Sequence, residues 1–366
     1  MFNFEVHING PLTMKKTILL LMFTLLTNIA FGQNKEEAEK LVNEGISYHD
    51  KGDYDGAIAK YDRALMLDKD NLFALSEKSF SLTSQQKFDE AITYCKKAIE
   101  KHPGDEGLVT TYVTYGNALD GLKKTDQSIE IYDEGLKLFP NNYQLHFNKG
   151  ITLLSVKRND EAILCFQKAA TKNPSHASSH SLIGRLLNAS NKRIPSLLAY
   201  SRFLVLEPQS QRAKENLESV RGLMKANVEK TGKKSVTITI SPEMLGDTTK
   251  GAKPKENSFS STDLILSMVA ALDYDKENKD KTEVEQFIRK FESVCTSLKE
   301  TRNDNFGFYW DYYVPYFTEM KDQNLIETFA YIAFASSEDP EVAKWLNANK
   351  SAIDKFYDWS KKYSWK

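Results

Sequence analysis

The chain has 366 residues, 41% hydrophobic and 27% charged, the balance of an ordinary globular protein with room for about two domains. Its 49 Lys and Arg against 50 Asp and Glu argue against a general nucleic-acid binder, which needs a basic excess to displace phosphate counterions. Three cysteines are too few for a disulfide-stapled scaffold, and their odd number leaves at least one thiol unpaired.

The first element in chain order is a targeting segment. Met14-Lys15-Lys16 is followed by an apolar run from Thr17 to Ile29 and then Ala30-Phe31-Gly32. A short basic region, about a dozen apolar residues and small residues before a cut describe a secretory signal peptide over 1–32. Cleavage after Gly32 leaves Gln33 first. Phe2 to Thr13 adds nothing such a signal requires, so Met14 is an alternative start. The run is shorter than the ~20 residues that span a bilayer, so no integral span is expected in the mature chain. The expected location is outside the cytoplasm, periplasmic or secreted.

A ladder with a period of 34 follows. Gly116, Gly150 and Gly184 recur every 34 residues, and Gly45 and Ser79 continue that series backwards with one longer step. Asp55, Asp89, Asp126 and Asp160 form a second series, and Pro103, Pro140, Pro174 and Pro208 a third. All three place one three-residue insertion between Pro103 and Gly116. Each period reads as a helix pair. The glycine marks a close approach on the first helix, the aspartate is expected as N-cap of the second, and the proline ends it. Small residues at Ala57, Ala91, Ser128, Ala162 and Ser196 stand four before Tyr61, Cys95, Tyr132, Phe166 and Tyr200. That small-large stripe lets paired helices interlock.

With these positions the chain resembles the tetratricopeptide repeat family. Gly45, Tyr48, Ala57, Tyr61 and Ala64 carry the match in the first unit, and Gly150, Ala162, Phe166, Ala169 and Pro174 in the fourth. Five units fall at about 38–71, 72–105, 109–142, 143–176 and 177–210. The family's tryptophan at the fourth position is absent. The resemblance implies an all-α solenoid of stacked helix pairs over 33–229, capped by a helix from Arg212 to Glu229. Its concave face, lined by first helices, would hold a peptide or partner protein, with no catalysis, cofactor or metal. By the family's groove positions, Phe73, Phe80, Val113, Asn117, Phe147, Ile151, Arg185 and Asn188 are the candidate partner-binding residues. The Lys, Asn and Arg set with which chaperone-binding members clamp a C-terminal carboxylate is missing. An apolar groove suits an amphipathic helix or extended apolar segment instead. Whether the chain's own C-terminal part fills the groove is left open by the sequence.

Residues 230–258, rich in lysine, glycine and hydroxyls, read as a linker holding one short strand, Val236 to Ile240. A small aromatic-rich helical domain is expected over 259–366. It has a buried helix at 262–273, a helix opened by a capping box of Thr282 and Glu285, one beginning near Pro315, and three more to the end. All four tryptophans lie there: Trp310, Trp345, Trp359 and Trp365. The dense run from Phe306 to Phe317 is either the core of this domain or a platform for a sugar ring or small ligand. His176 and His180 share a helical face but lack a third metal ligand. Asp273 to Val284 lacks the glycine and the final glutamate of a calcium loop. With no catalytic motif recognisable, the expected function is a non-enzymatic envelope adaptor; a glycan- or small-ligand-binding protein is the alternative.

Overall fold

A computed structural model describes residues 34–232, 235–245, 255–302 and 305–365. The segment 1–32 read as a signal peptide lies outside them. Two compact units divide the chain, one running to Thr152 and the other from Leu153. The 34-residue period is a sequence property and compactness a contact property, so the two need not part the chain at one place.

The N-terminal unit begins with α1 (34–50) and continues as helix pairs: α2 (Tyr54–Leu67), α3 (Leu72–Ser84), α4 (Phe88–Lys101), α5 (Leu108–Gly121), α6 (Thr125–Leu138) and the start of α7 (Tyr143–Ser155). Helices α2 to α6 each pack on their neighbours in sequence, and α3 also packs on α5, first helix on first helix. Small residues govern these contacts. A Cβ on Gly45 or Gly116 would lie inside the ring of Tyr61 or Tyr132 respectively. Ser79 replaces glycine in the second repeat, and there the facing residue is the smaller Cys95. The hydroxyl of Ser128 donates to the Gly116 carbonyl at 2.8 Å, tying the two helices of the third repeat together.

Neighbouring repeats are joined by ion pairs in phase with the period. Lys78 on α3 reaches back to Asp62 on α2 and donates to the Tyr94 hydroxyl. In α7 the equivalent Lys149 reaches Asp133 on α6 at 2.5 Å.

One sequence expectation is corrected here. The recurring aspartates do not cap the second helices: the N-cap positions are Asp53, Lys87, Lys124 and Arg158, and Asp55, Asp89, Asp126 and Asp160 sit within the first turn. Asp53 alone of these four caps accepts a backbone N–H through its side chain, from Gly56 at 2.9 Å. The others place their first-turn carboxylates where the positive end of the helix dipole favours them. Cap and first-turn acid differ by two residues, which a 34-residue repeat cannot resolve.

The C-terminal unit holds α8 (Asn159–Lys172), α9 (Ala177–Ala189), α10 (Arg193–Leu206) and α11 (Gln211–Lys225). A hairpin of β1 (Val228–Lys230) and β2 (Val236–Ile238) follows, antiparallel with Glu229 opposite Thr237. The expected strand is therefore paired within the chain. After α12 (Pro242–Leu245) come α13 (Ser260–Ala271), α14 (Glu283–Thr301), α15 (Phe308–Asp322), α16 (Ile326–Ala333), α17 (Pro340–Ala348) and α18 (Lys350–Lys362). Thr282 and Glu285 form the expected capping box on α14. Pro315 lies inside α15 rather than at its start; a proline there lacks the N–H for the Asp311 carbonyl, and aromatic packing holds the helix through it. Among the described residues the fold is all-α apart from the hairpin, and no helix there is long and apolar enough to cross a membrane.

Helix α10 is buried along its whole length from Arg193 to Val205. It packs on α9 and α11, and also on α13, α15 and α16. The last repeat is thus covered along its second helix by the aromatic segment.

The glycine contact predicts contrasting substitutions. In Gly184→Ala the new Cβ would lie 2.7 Å from Tyr200 Cδ1, so this variant should lose about 1–3 kcal/mol in urea melts. Gly222 in α11 faces open space, and Gly222→Ala should gain about 0.5–1 kcal/mol in the same assay.

Candidate functional site

The eight groove candidates all stand on first helices, four of them in the repeats of α3 and α5. Phe73 is 61% exposed, Phe80 41% and Ile151 37%, high for large apolar side chains inside a repeat stack. Phe73 and Phe80 lie seven residues apart on one side of α3, and Val113 and Asn117 share a side of α5. Val113, Asn117 and Phe147 are half-buried. Asn117 is partly committed: its Oδ1 accepts from the Tyr132 hydroxyl at 2.7 Å. Phe147 and Ile151 follow on α7.

Sequence reasoning passed over His49. From the last turn of α1 its ring stacks on Phe80, with centroids 4.6 Å apart, and its Nδ1 shares a 2.7 Å hydrogen bond with the Ser81 hydroxyl. The signal was available, since His49 lies seven residues beyond Val42, on the same row.

Arg185 and Asn188 belong to the C-terminal unit and are exposed on α9. The described residues leave these two side chains uncovered. The aromatic helix α15 lies against the second helices α8 and α10 and also touches α9 at His180. Gln167 on α8 donates to the Tyr309 hydroxyl at 2.8 Å, and the Tyr312 hydroxyl donates to the Ala170 carbonyl at 2.7 Å. Tyr309, Trp310, Tyr312, Tyr313, Tyr316 and Phe317 are all buried. Most of the run from Phe306 to Phe317 is therefore core, shared between α15 and the last repeats.

Two arginines from α10 are enclosed by this packing. Arg193 donates to the Leu223 carbonyl at 2.7 Å and pairs with Asp263 on α13 at 2.8 Å. Arg202 lies over the rings of Tyr316 and Trp365 at 4.9 and 4.7 Å, donating to the Tyr316 hydroxyl and the Pro174 carbonyl. Ring faces and neutral oxygens surround this guanidinium.

His180 is wholly buried, and its environment assigns its tautomer. A carbonyl can only accept, so Nε2–H donates to Pro174 O at 3.1 Å, and Nδ1 accepts from the Tyr313 hydroxyl at 2.8 Å. Both ring nitrogens are occupied, and no cluster of metal-ligating residues occurs among the described residues. Cys95, Cys165 and Cys295 are buried free thiols; burial pushes Cys95 up to about 12, which leaves it inert at neutral pH.

A cleft of about 900 Å³ opens beside α15 and α18, lined by Phe308, Tyr312, Trp359 and Tyr363 together with Arg302 and Asp311. Arg302 is paired with Asp311 at 2.8 Å, and Trp359 Nε1 donates to Glu319 at 2.9 Å.

Comparison with known proteins agrees with the helix-pair geometry. The tetratricopeptide repeat description matches residues 38–71 and 115–189, so this part of the chain is built of tetratricopeptide repeats. The Dictyostelium discoideum Protein STIP1 homolog is 27% identical over 168 residues, covering 38% of this chain and 30% of its own. A Plasmodium falciparum Hsp70-Hsp90 organising protein is 32% identical over 113 residues, covering 31% of this chain and 43% of its own. The chain thus spans less than half the length of these relatives. Among solved structures, a Thermus thermophilus tetratricopeptide repeat protein aligns over 50% of this chain and 99% of its own, at 15% identity and a TM-score of 0.44. The Pseudomonas aeruginosa pilF structure aligns over 52% of this chain and 90% of its own, at 18% identity and 0.43.

The buried histidine sets a pH dependence. Burial first, then the charge of Arg202, lowers the His180 pKa from 6.5 to about 3. Between those values the unfolded chain binds a proton that the folded chain does not, so stability falls as pH drops through 6.5 towards 3, by up to ~1.4 kcal/mol per unit from this group. Urea melts at pH 7 and pH 5 should show a smaller pH loss for His180→Phe than for the parent, although its stability at pH 7 is lower.

Proposed function

We propose that this chain is a non-enzymatic adaptor that holds a peptide or partner protein on the face formed by its first helices. The observation that carries this reading is the exposure of the large apolar side chains Phe73, Phe80 and Ile151 on first helices of the repeats. Exposed apolar side chains aligned along helices are a common mark of an interaction surface. Val113, Asn117 and Phe147 complete the surface in the N-terminal unit; in the C-terminal unit Arg185 and Asn188 are exposed polar side chains on α9. The similarity to proteins named as Hsp70-Hsp90 organisers supports an adaptor role without naming the partner.

We also place the adaptor outside the cytoplasm, in the cell envelope, on the strength of the segment from Met14 to Gly32. Fractionating cells that express the full chain and a version starting at Gln33 tests this, and retention of both in the cytoplasm would defeat it.

A second reading rests on the aromatic cleft beside α18, whose rings and paired charges suit a sugar or other small polar ligand. Because α15 packs on the last repeats, the full chain is the right material for a glycan array. A signal lost in Trp359→Ala would favour this reading.

The leading reading predicts that Phe80→Ala combined with Phe147→Ala abolishes partner capture in crosslinking and pull-down from native envelopes. Circular dichroism should show helix content unchanged, since Phe80 is exposed and Phe147 half-buried. Capture at the parental level would refute the groove.

A further inference from the structure

The cleft beside α15 and α18 has a feature that its aromatic rings do not explain. Proline is disfavoured inside a helix, yet Pro315 stands in the middle of α15 and borders the cleft together with Asp311, four residues before it. Position 315 carries no N–H, so the Asp311 carbonyl lacks its ordinary helical donor. The gap lies between two residues that both line the cleft, which leaves backbone acceptor capacity there.

The side chains around this gap are only partly committed. Asp311 uses one carboxylate oxygen on Arg302 at 2.8 Å, and Glu319 uses one on Trp359 Nε1–H at 2.9 Å. Both acids are solvent-exposed. The side chains of Lys362 and Tyr363, also in the lining, make no hydrogen bond or ion pair among the described residues. The charged groups in the lining are Arg302 and Lys362 against Asp311 and Glu319, so the cleft presents no net charge. Phe308 and Trp359 are half-buried and offer the remainder of their rings to it. The Glu319 contact fixes the indole, so its open surface is already oriented.

This combination discriminates between ligand classes. A carboxylate or an ammonium gains from one pair of charged side chains and loses to the other. A purely apolar ligand would displace water from the Asp311 carbonyl and the unused carboxylate oxygens and give nothing back. A hydroxyl is donor and acceptor at once, and a sugar ring adds C–H faces that meet the negative faces of aromatic rings.

We propose that the cleft is a subsite for a neutral sugar, a pyranose ring without carboxylate or amine, with its C–H face against Trp359. Its hydroxyls donate to the Asp311 carbonyl and to Glu319 and accept from Lys362 and Tyr363. This rests on the reading of the cleft as a small-ligand site and gives that ligand a class. It also gives Pro315 a role, since the proline keeps the Asp311 carbonyl open to an outside donor.

The test screens the full chain on an array of neutral, acidic and amino glycans and, in parallel, against amino acids and polyamines by saturation-transfer NMR. The strongest glycan is then titrated by calorimetry. Neutral glycans should be retained, and Trp359→Ala should weaken them at least about tenfold. Pro315→Ala returns an N–H to the Asp311 carbonyl, so it should melt no lower than the parent while binding about three- to tenfold more weakly. A merely structural proline would not weaken binding in a chain that is no less stable. Glu319→Ala, at an exposed position, is the second variant and should weaken binding by a similar factor. Preference for acidic or amino glycans, binding confined to amino acids or polyamines, or parental affinity in both Pro315→Ala and Glu319→Ala would overturn the neutral-sugar subsite and leave the cleft standing as a small-ligand site. No binding on either panel would overturn the cleft reading and the subsite with it.

Discussion

The contact between a glycine on the first helix and a tyrosine ring on the second is the constraint on which the first, third and fifth repeats depend, with Ser79 and Cys95 standing there in the second. Tyr61, Tyr132 and Tyr200 lie against Gly45, Gly116 and Gly184 so closely that no Cβ fits. Because packed interiors tolerate little extra volume, this contact sets the separation of the helix pair, and the pair sets which side chains remain outside. Ser128 and Ser196 reinforce it by donating to the Gly116 and Gly184 carbonyls, each at 2.8 Å. Phe73 and Phe80 on α3 and Ile151 on α7 are the large apolar side chains left exposed on the first helices.

In the C-terminal unit the same geometry serves a different purpose. The second helix α10 is too apolar to face water, with Leu197, Leu198, Phe203 and Leu204 all fully buried, and α13, α15 and α16 pack over it. Their aromatic side chains enclose Arg193 and Arg202, which reach out of the repeat to hydrogen-bond acceptors and ring faces in the covering helices. Burying guanidinium groups is costly, and the hydrogen bonds these two make to Asp263, Ser267, Tyr316 and Ser360 tie the covering helices to one place on the repeat. The first helix α9 keeps Arg185 and Asn188 exposed, so the covering layer and the groove side chains lie on different helices.

Much of this was legible in the residues. The periods of glycine, aspartate and proline located the helix pairs, the small-large stripe located their interface, and Thr282 with Glu285 marked the start of α14. Where the signal is chemical and local, it survived folding unchanged. The aspartates were harder, because a recurring acid near a helix start can be a cap or a first-turn residue and both are favoured by the same field. His49 was missed although its row was defined, because it is polar and its partner Phe80 lies in the next repeat.

By itself the sequence determined the helix-pair architecture and the rows that could form a groove, because periodic spacing dictates which side chains share a helical face. Tertiary structure alone decided that the aromatic run from Phe306 to Phe317 is chiefly core rather than platform. It also decided that the covering helices choose the second helix α10. Each of these turns on contacts between residues distant in the chain, and no local pattern encodes which of several apolar faces will meet.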